Sequence, residues 1–282
     1  MKYKFKQIVG VTGASGFLGS ALCKDIKKKN KFRLVKFKGN ILNKNHLKEW
    51  FFKYRINYLI HLAAVVPTYK FIKDKDYAEK VNLVGTKNIV NELNKLNHIK
   101  WLFYSSTSHV YKFSNNKLKE NSLKKPFSVY GKTKLKAENY LKKKLNKNIK
   151  LCCGRIFSLE GKKKTESYFL PSLRSKVQSN SQIRLNLNNF RDFVHIDDVI
   201  KAIIKLMNNE VSGNFNIASG KKITFLKIIN IIKKISKKKI SLENVNDKSS
   251  KGSYADIQKI KKFIRWTPKR NINYILKDYF SK

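Results

Sequence analysis

Three glycines, Gly13, Gly16 and Gly19, stand directly behind an apolar run (residues 7–11) and open a helical pattern (17–29). No other feature of this 282-residue chain restricts its fold as strongly. A strand that becomes a helix within so few residues uses one glycine for the tight turn. A second lets the backbone approach a ligand, and a third lets helix pack on strand. The helix N-terminus so presented offers N–H groups and a partial positive charge, which suits a pyrophosphate. A plain strand–turn–helix corner is the bland alternative, and the residues downstream argue against it.

The first 160 residues repeat the same rhythm. Short β-rich runs at 7–11, 32–37, 58–63, 101–105 and 150–157 alternate with helical patterns at 17–29, 44–54, 77–96 and 128–145. That alternation predicts an α/β fold, a doubly wound parallel sheet. The run Tyr58-Leu59-Ile60-His61-Leu62-Ala63-Ala64 is apolar enough to be buried on both faces. After about Gly161 the pattern loosens into helices at 167–179, 197–208 and 224–236, with short strands near 182–185 and 214–217. The expected division is 1–160 as the dinucleotide-binding domain and 161–282 mainly as a smaller C-terminal substrate-binding lobe. Residues near 190–210 are expected to return to the first domain. Such a lobe would close over the C-terminal edge of the sheet, where open α/β sheets bind ligands.

The net charge is +45, from 63 Lys and Arg against 18 Asp and Glu. Nearly all of the excess is lysine, 55 against 8 arginines, spread evenly along the chain among many Asn and Ile. Specific nucleic-acid surfaces favour clustered Arg with interleaved aromatics, so no specific nucleic-acid partner is expected. The charge would still draw anionic substrates from a distance, and salt would weaken that pull. The lysine runs at 142–144, 162–164 and 237–239 read as helix ends or solvated turns. No run of eighteen apolar residues exists, and residues 1–6 lead straight into a strand, so neither a membrane span nor a secretion signal is expected. Cys23, Cys152 and Cys153 form no CxxC pair and no metal spacing, which fits a reduced, cytoplasmic setting.

Tyr130 and Lys134 are four residues apart and share one face of a helix. A phenol has a pKa near 10, and an ammonium one turn away would stabilise its anion. Together with the G-x-x-G-x-x-G turn, this pair resembles the extended short-chain dehydrogenases/reductases, the nucleotide-sugar epimerase/dehydratase/reductase family. The resemblance runs from Gln7 to Pro268. It includes His61-Leu62-Ala63-Ala64, Val81-Asn82-Leu83-Val84-Gly85-Thr86, Tyr104-Ser105-Ser106-Thr107, Arg191-Asp192-Phe193-Val194-His195, Asn216-Ile217-Ala218-Ser219-Gly220 and Trp266-Thr267-Pro268. It implies a Rossmann-like fold and a catalytic set of Thr107, Tyr130 and Lys134. Tyr130 would be the general acid/base, Lys134 would also hold the nicotinamide ribose, and Thr107, four residues before Tyr111, would share the substrate oxygen.

The same resemblance implies cofactor contacts from Gly13, Ser15, Gly16, Phe17, Leu18 and Gly19, from Leu62, Ala63 and Ala64, and from Asn82, which bridges backbone near the catalytic helix. At the adenosine end it points to Arg33, Lys38, Asn40 and Ile41. An NAD-specific enzyme would close the second strand with Asp or Glu. This chain has Val35-Lys36-Phe37-Lys38, so NADP(H) is favoured and NAD(H) is the alternative. Arg33 is the second candidate partner for a 2′-phosphate. Asn40, in Gly39-Asn40-Ile41, replaces the acid that relatives set against the adenine.

The departures from the family pattern narrow the reaction. Dehydratases carry carboxylates beside the Thr107 position, and this chain has Ser108 and His109. A 4,6-dehydratase is therefore disfavoured. His109 is either a second acid/base or a polar wall of the substrate pocket. Arg191 would bind a nucleotide diphosphate, or else pair with Asp192 or Asp198. Ser158 stands where many relatives place an Asn on the substrate phosphates, and a second diphosphate arginine is missing, with only Lys248 and Lys251 nearby. The implied reaction is redox chemistry at C4 of a nucleotide-activated sugar, first as a 4-keto-6-deoxy-sugar reductase for surface polysaccharide and alternatively as a 4-epimerase with bound NAD. A non-catalytic nucleotide-sensing or RNA-binding protein is the competing class. The resemblance also raises a homodimer through the helices at 77–96 and 128–145.

Overall fold

The computed structural model describes residues 7–66, 75–162, 164–245 and 250–281. Six strands form the central sheet: β1 (Ile8–Thr12), β2 (Arg33–Lys36), β3 (Tyr58–His61), β4 (Trp101–Thr107), β5 (Lys150–Ile156) and β6 (Gly213–Ile217). Their order is β6-β5-β4-β3-β1-β2, and every neighbouring pair is parallel. Period-two alternation sorts their side chains onto two cores. Val9, Val11, Ile60, Phe103 and Cys152 face one side, while Leu59, Leu102, Tyr104 and Cys153 face the other.

The helix after β1 (Phe17–Lys29) packs on the first side, and the helical stretch after β3 packs on the second. The chain thus changes direction between β1 and β3, leaving a crevice at their C-terminal ends, the place where such sheets bind nucleotides. The stretch after β3 runs from Lys75–Glu79 through a π-turn at Lys80–Val84 into Gly85–Leu93. The helix carrying Tyr130 and Lys134 is Val129–Lys144, and its last turn holds Lys142, Lys143 and Lys144, where cations complement the helix dipole.

One expected lobe strand belongs elsewhere. Residues 213–217 add a sixth strand beside β5, in register Phe215 with Gly154 and Ile217 with Ile156. Phe215 and Ile217 are fully buried in the first core, so joining the sheet satisfies both their backbone and their side chains. The lobe has its own core. The helices Phe169–Gln178, Phe225–Ser236 and Ile272–Phe280 meet through Leu170, Ile228, Ile232 and Leu276. Short strand pairs carry the lobe to the sheet edge: Ser158–Glu160 runs parallel to Phe193–His195, and Phe190–Arg191 lies between Ile223–Thr224 and Gly252–Ser253. The buried carboxylate of Asp192 fixes this junction by accepting from the amides of Ser219, Gly220 and Ala255 at 2.7, 2.9 and 3.1 Å. Among the described residues, no helix is long and apolar enough to cross a membrane.

Candidate active site

The glycine turn leaves a cradle at the end of β1. Gly13 has φ +68°, and a Cβ there would stand 2.5 Å from Ala63 N. A Cβ on Gly19 would meet Gly13 O at 2.0 Å. The Gly16 amide donates to Gly13 O at 3.1 Å, and Gly16 caps the following helix without any side chain over its first-turn amides. A dinucleotide pyrophosphate fits these residues, since no side chain caps the first-turn N–H groups and the helix dipole favours an anion there. Ser15 is exposed on the turn, Phe17 is half-buried and Leu18 anchors the helix in the core.

Leu62, Ala63 and Ala64 follow β3 directly beside this cradle. Leu62 N donates to Thr12 O at 3.2 Å, and Ala63 N donates to Thr12 Oγ1 at 3.3 Å. Behind them runs a buried relay. Thr86 Oγ1 donates to Asn82 O (2.7 Å), so it must accept from His61 Nε2 (3.1 Å). His61 Nδ1 then accepts from Thr12 Oγ1 (2.7 Å). The pattern assigns one proton, on Nε2, and burial with Lys134 nearby pushes the imidazole pKa down to about 3. Asn82, on the π-turn, closes the arrangement: its Oδ1 accepts from Val65 N, and its Nδ2 donates to Val65 O and to Thr133 Oγ1 on the helix that carries Tyr130.

At the adenosine end the placements diverge. Ile41 is buried against Gly85, and Asn88 Nδ2 holds its carbonyl at 3.2 Å. Asn40 is exposed, and its Oδ1 accepts from Leu42 N, leaving the amide NH₂ to face outward. Lys38 is exposed just past β2. The Arg33 backbone is not brought to this end. It pairs in register with Ile8 at the first position of β2, so the whole strand separates it from the glycine turn. A strand advances about 3.3 Å per residue, which sets the Arg33 backbone at the N-terminal end of the sheet, although its side chain lines one groove with Lys36 and Lys38.

Thr107 ends β4 and caps the short turn Ser108–Val110, with its Oγ1 accepting from His109 N at 3.3 Å. Ser128 caps the helix that carries Tyr130 and Lys134 by accepting from Gly131 N at 3.0 Å, and its hydroxyl also meets His109 Nδ1 at 3.2 Å. His109 therefore joins Thr107 to Tyr130, whose rings stand edge-on at 5.9 Å between centroids. Gly131 permits the approach, because a Cβ there would lie 2.3 Å from His109 O. Lys134 is almost wholly buried, its Nζ 4.5 Å from the Tyr104 ring centroid and 6.0 Å from that of Tyr130.

Burial governs the protonation of this pair. It pushes the Tyr130 phenol up, with Tyr168 adding to the shift, and it pulls the Lys134 ammonium down to about 7 against the opposing pull of Glu138. Burial thus opposes the stabilisation of the phenolate that the Lys134 ammonium is expected to give. Here Tyr130 is held as a proton donor and Lys134 sits near its titration point.

On the substrate side, Arg191 is exposed, and its guanidinium lies 4.9 Å from the Phe169 ring centroid and 5.6 Å from that of Phe225. Neither Asp192 nor Asp198 pairs with it. The first is taken up by Ser219, Gly220 and Ala255, and the second by the amides of Lys269 and Arg270. Ser158 is half-buried on its short strand, its amide bonded to Asp192 O at 2.9 Å. His109 is neutral, because burial and then Arg191 bring its pKa down to about 4. Lys164 is not a solvated turn residue: only 8% of its side chain is exposed, and its Nζ binds Glu160 Oε1 at 3.0 Å and lies 4.3 Å from the Tyr168 ring centroid. Lys251 lies beside Phe190 in the small sheet, whereas Lys248 falls outside the described residues.

A buried polar group lies beneath the site; Arg155 heads the segment Arg155-Ile156-Phe157-Ser158, which stands where many relatives have Arg-x-x-Asn, but its partner Glu138 belongs to no such motif. Arg155 and Glu138 are wholly buried and bonded twice, Nε to Oε1 at 3.0 Å and Nη2 to Oε2 at 2.7 Å. Arg155 Nη1 donates to Tyr111 OH at 2.8 Å and to Glu120 O at 2.7 Å, Tyr111 OH donates to Asn216 Oδ1, and Ser106 Oγ donates to Glu138 Oε1 at 2.5 Å. One signal was available, since Glu138 is the only acid on the helix 129–144 and continues the stripe of Tyr130 and Lys134.

Comparison with known proteins identifies the family. Residues 9–218 match the profile of the NAD dependent epimerase/dehydratase family. The chain is 28% identical to a dTDP-4-dehydro-6-deoxyglucose reductase of Escherichia coli, over 93% of each chain. It is 25% identical to the uncharacterized UDP-glucose epimerase YtcB of Bacillus subtilis (strain 168), over 92% of each. Among solved structures, MoeE5 in complex with UDP-glucose and NAD superposes with a TM-score of 0.85 at 19% identity, covering 96% of this chain and 97% of that one, a likeness of fold. With the profile spanning most of its length, the chain belongs to the NAD-dependent epimerase/dehydratase family, enzymes of the extended short-chain dehydrogenase/reductase type.

Proposed function

We propose that this protein is an NAD(P)-dependent oxidoreductase acting at C4 of a nucleotide-activated sugar, and that it reduces a 4-keto-6-deoxy sugar with NADPH. One observation carries the reading: Thr107, His109 and Tyr130 are bonded or packed together above Lys134, with serine and histidine rather than carboxylates at 108 and 109. The bound nicotinamide supplies the hydride. Thr107 and Tyr130 hold the C4 oxygen, Tyr130 gives it the proton, and Lys134 places its charge on the cofactor side. Ser158 and Arg191 are assigned to the substrate phosphates. NADP(H) is favoured by the absence of an acid at the end of β2 and by Lys38 just beyond it. A cytoplasmic setting accords with the three free, buried cysteines.

The 4-epimerase reading is favoured by relatives named as epimerases, such as the UDP-glucuronate 4-epimerase of Thermodesulfobacterium geofontis (strain OPF15), 28% identical over 90% of this chain. Denaturing freshly purified protein and identifying the released nucleotide separates the two. An empty protein that then oxidises NADPH only when given a 4-keto-6-deoxy nucleotide sugar is the expected result. Stoichiometric retained NAD⁺ would establish the epimerase instead.

The protonation of Lys134 gives a second check. Its free-enzyme value is about 7, and the ammonium is lost as pH rises through it. Since kcat/KM reports groups of the free enzyme, kcat/KM at limiting NADPH should decline on the alkaline side of neutrality. A profile flat across neutrality would remove Lys134 as the titrating group.

A further inference from the structure

We infer that Phe127 and Phe113 form a platform that holds the apolar face of the substrate's glycosyl ring, an inference that rests on the sugar-nucleotide reading above. The two rings stack at 4.2 Å between centroids, Phe127 meets His109 at 4.8 Å, and His109 meets Tyr130 at 5.9 Å. An unbroken aromatic path therefore leads from the catalytic phenol out to solvent. Phe113 is 38% exposed and Phe127 is 51% exposed. Paired aromatic surface left in water beside a reaction centre marks a binding surface more often than an accident of packing.

The platform is held in place. Lys112 N donates to Leu123 O at 3.1 Å, closing the segment on itself, and Ser114 N donates to Gly252 O at 3.0 Å, tying it to the small sheet. Phe127 immediately precedes Ser128, the cap of the catalytic helix, so its backbone is set by the same bonds that set Tyr130.

Position identifies the occupant. With its C4 oxygen at Tyr130, a pyranose lies within one ring width of His109 and Phe127. Its phosphates point to Arg191, which rests against Phe169 and Phe225 of the other lobe. The base lies beyond the phosphates, so the rings nearest Tyr130 meet the sugar. The C–H face of a pyranose packs on a flat aromatic ring.

The test uses the full chain with saturating NADPH and titration calorimetry against UDP-glucose, dTDP-glucose, UDP-glucuronate, UDP and dTDP. For Phe127→Ala and Phe113→Ala, the Kd of the better-binding neutral nucleotide sugar should rise about ten-fold, the scale of one aromatic contact. The matching free nucleotide should bind as before, and Phe127→Tyr should restore the sugar affinity. Equal weakening of nucleotide and nucleotide sugar, or no weakening of either, would overturn the platform. A wild type that binds NADPH but none of the nucleotide sugars would overturn the C4 reading itself and this inference with it.

Discussion

Tyr130→Phe should lower kcat by about 10²–10⁴-fold, the usual contribution of a positioned proton donor, while leaving NADPH affinity unchanged. At roughly 1.4 kcal/mol per tenfold, that is about 3–5 kcal/mol of transition-state stabilisation held by one hydroxyl. The substitution keeps the ring, so the edge-on contact with His109 at 5.9 Å and the packing above Lys134 persist. Thermal stability should therefore barely move, and the loss would be chemical rather than structural. Reductase turnover followed at 340 nm-type NADPH absorbance, beside a fluorescence titration of NADPH, reads the two quantities separately. Turnover within a few-fold of wild type would remove Tyr130 as the acid, and burial of its phenol would then be mere packing.

What the sequence displays is whatever a local period or a short motif encodes. The turn at Gly13, Gly16 and Gly19 is legible because a Cβ would stand 2.5 Å from Ala63 N at Gly13, where φ is +68°, and 2.0 Å from Gly13 O at Gly19. Tyr130 and Lys134 are legible because four residues make one helical turn. Arg33 misleads because a strand residue's place depends on its register, and pairing with Ile8 sets its backbone at the N-terminal end of the sheet. Lys164 misleads because composition hides it: in a chain this rich in lysine, nothing local separates the one that seals Glu160 from those that face water. Residues 213–217 read as lobe because their pairing with β5 spans some sixty residues of chain.

The Arg155–Glu138 pair has the same long-range character and the largest expected effect on stability. Arg155→Met leaves the Glu138 carboxylate buried without its partner, which should cost about 3–5 kcal/mol and lower Tm by on the order of 10 °C in a domain of this size. Removing both charges, as Arg155→Met with Glu138→Leu, should recover much of that loss, because no ion is then stranded. A loss below about 1 kcal/mol in the single variant, or a double variant no better than the single, would show that the pair is not the constraint its geometry indicates. The double variant also touches the chemistry. Glu138 raises the Lys134 pKa against the pull of burial, so without that carboxylate the ammonium should be lost at lower pH. The alkaline limb of kcat/KM should then move to lower pH while the folded state is largely regained, which makes the pair a support for the charge of Lys134 as well as for the sheet.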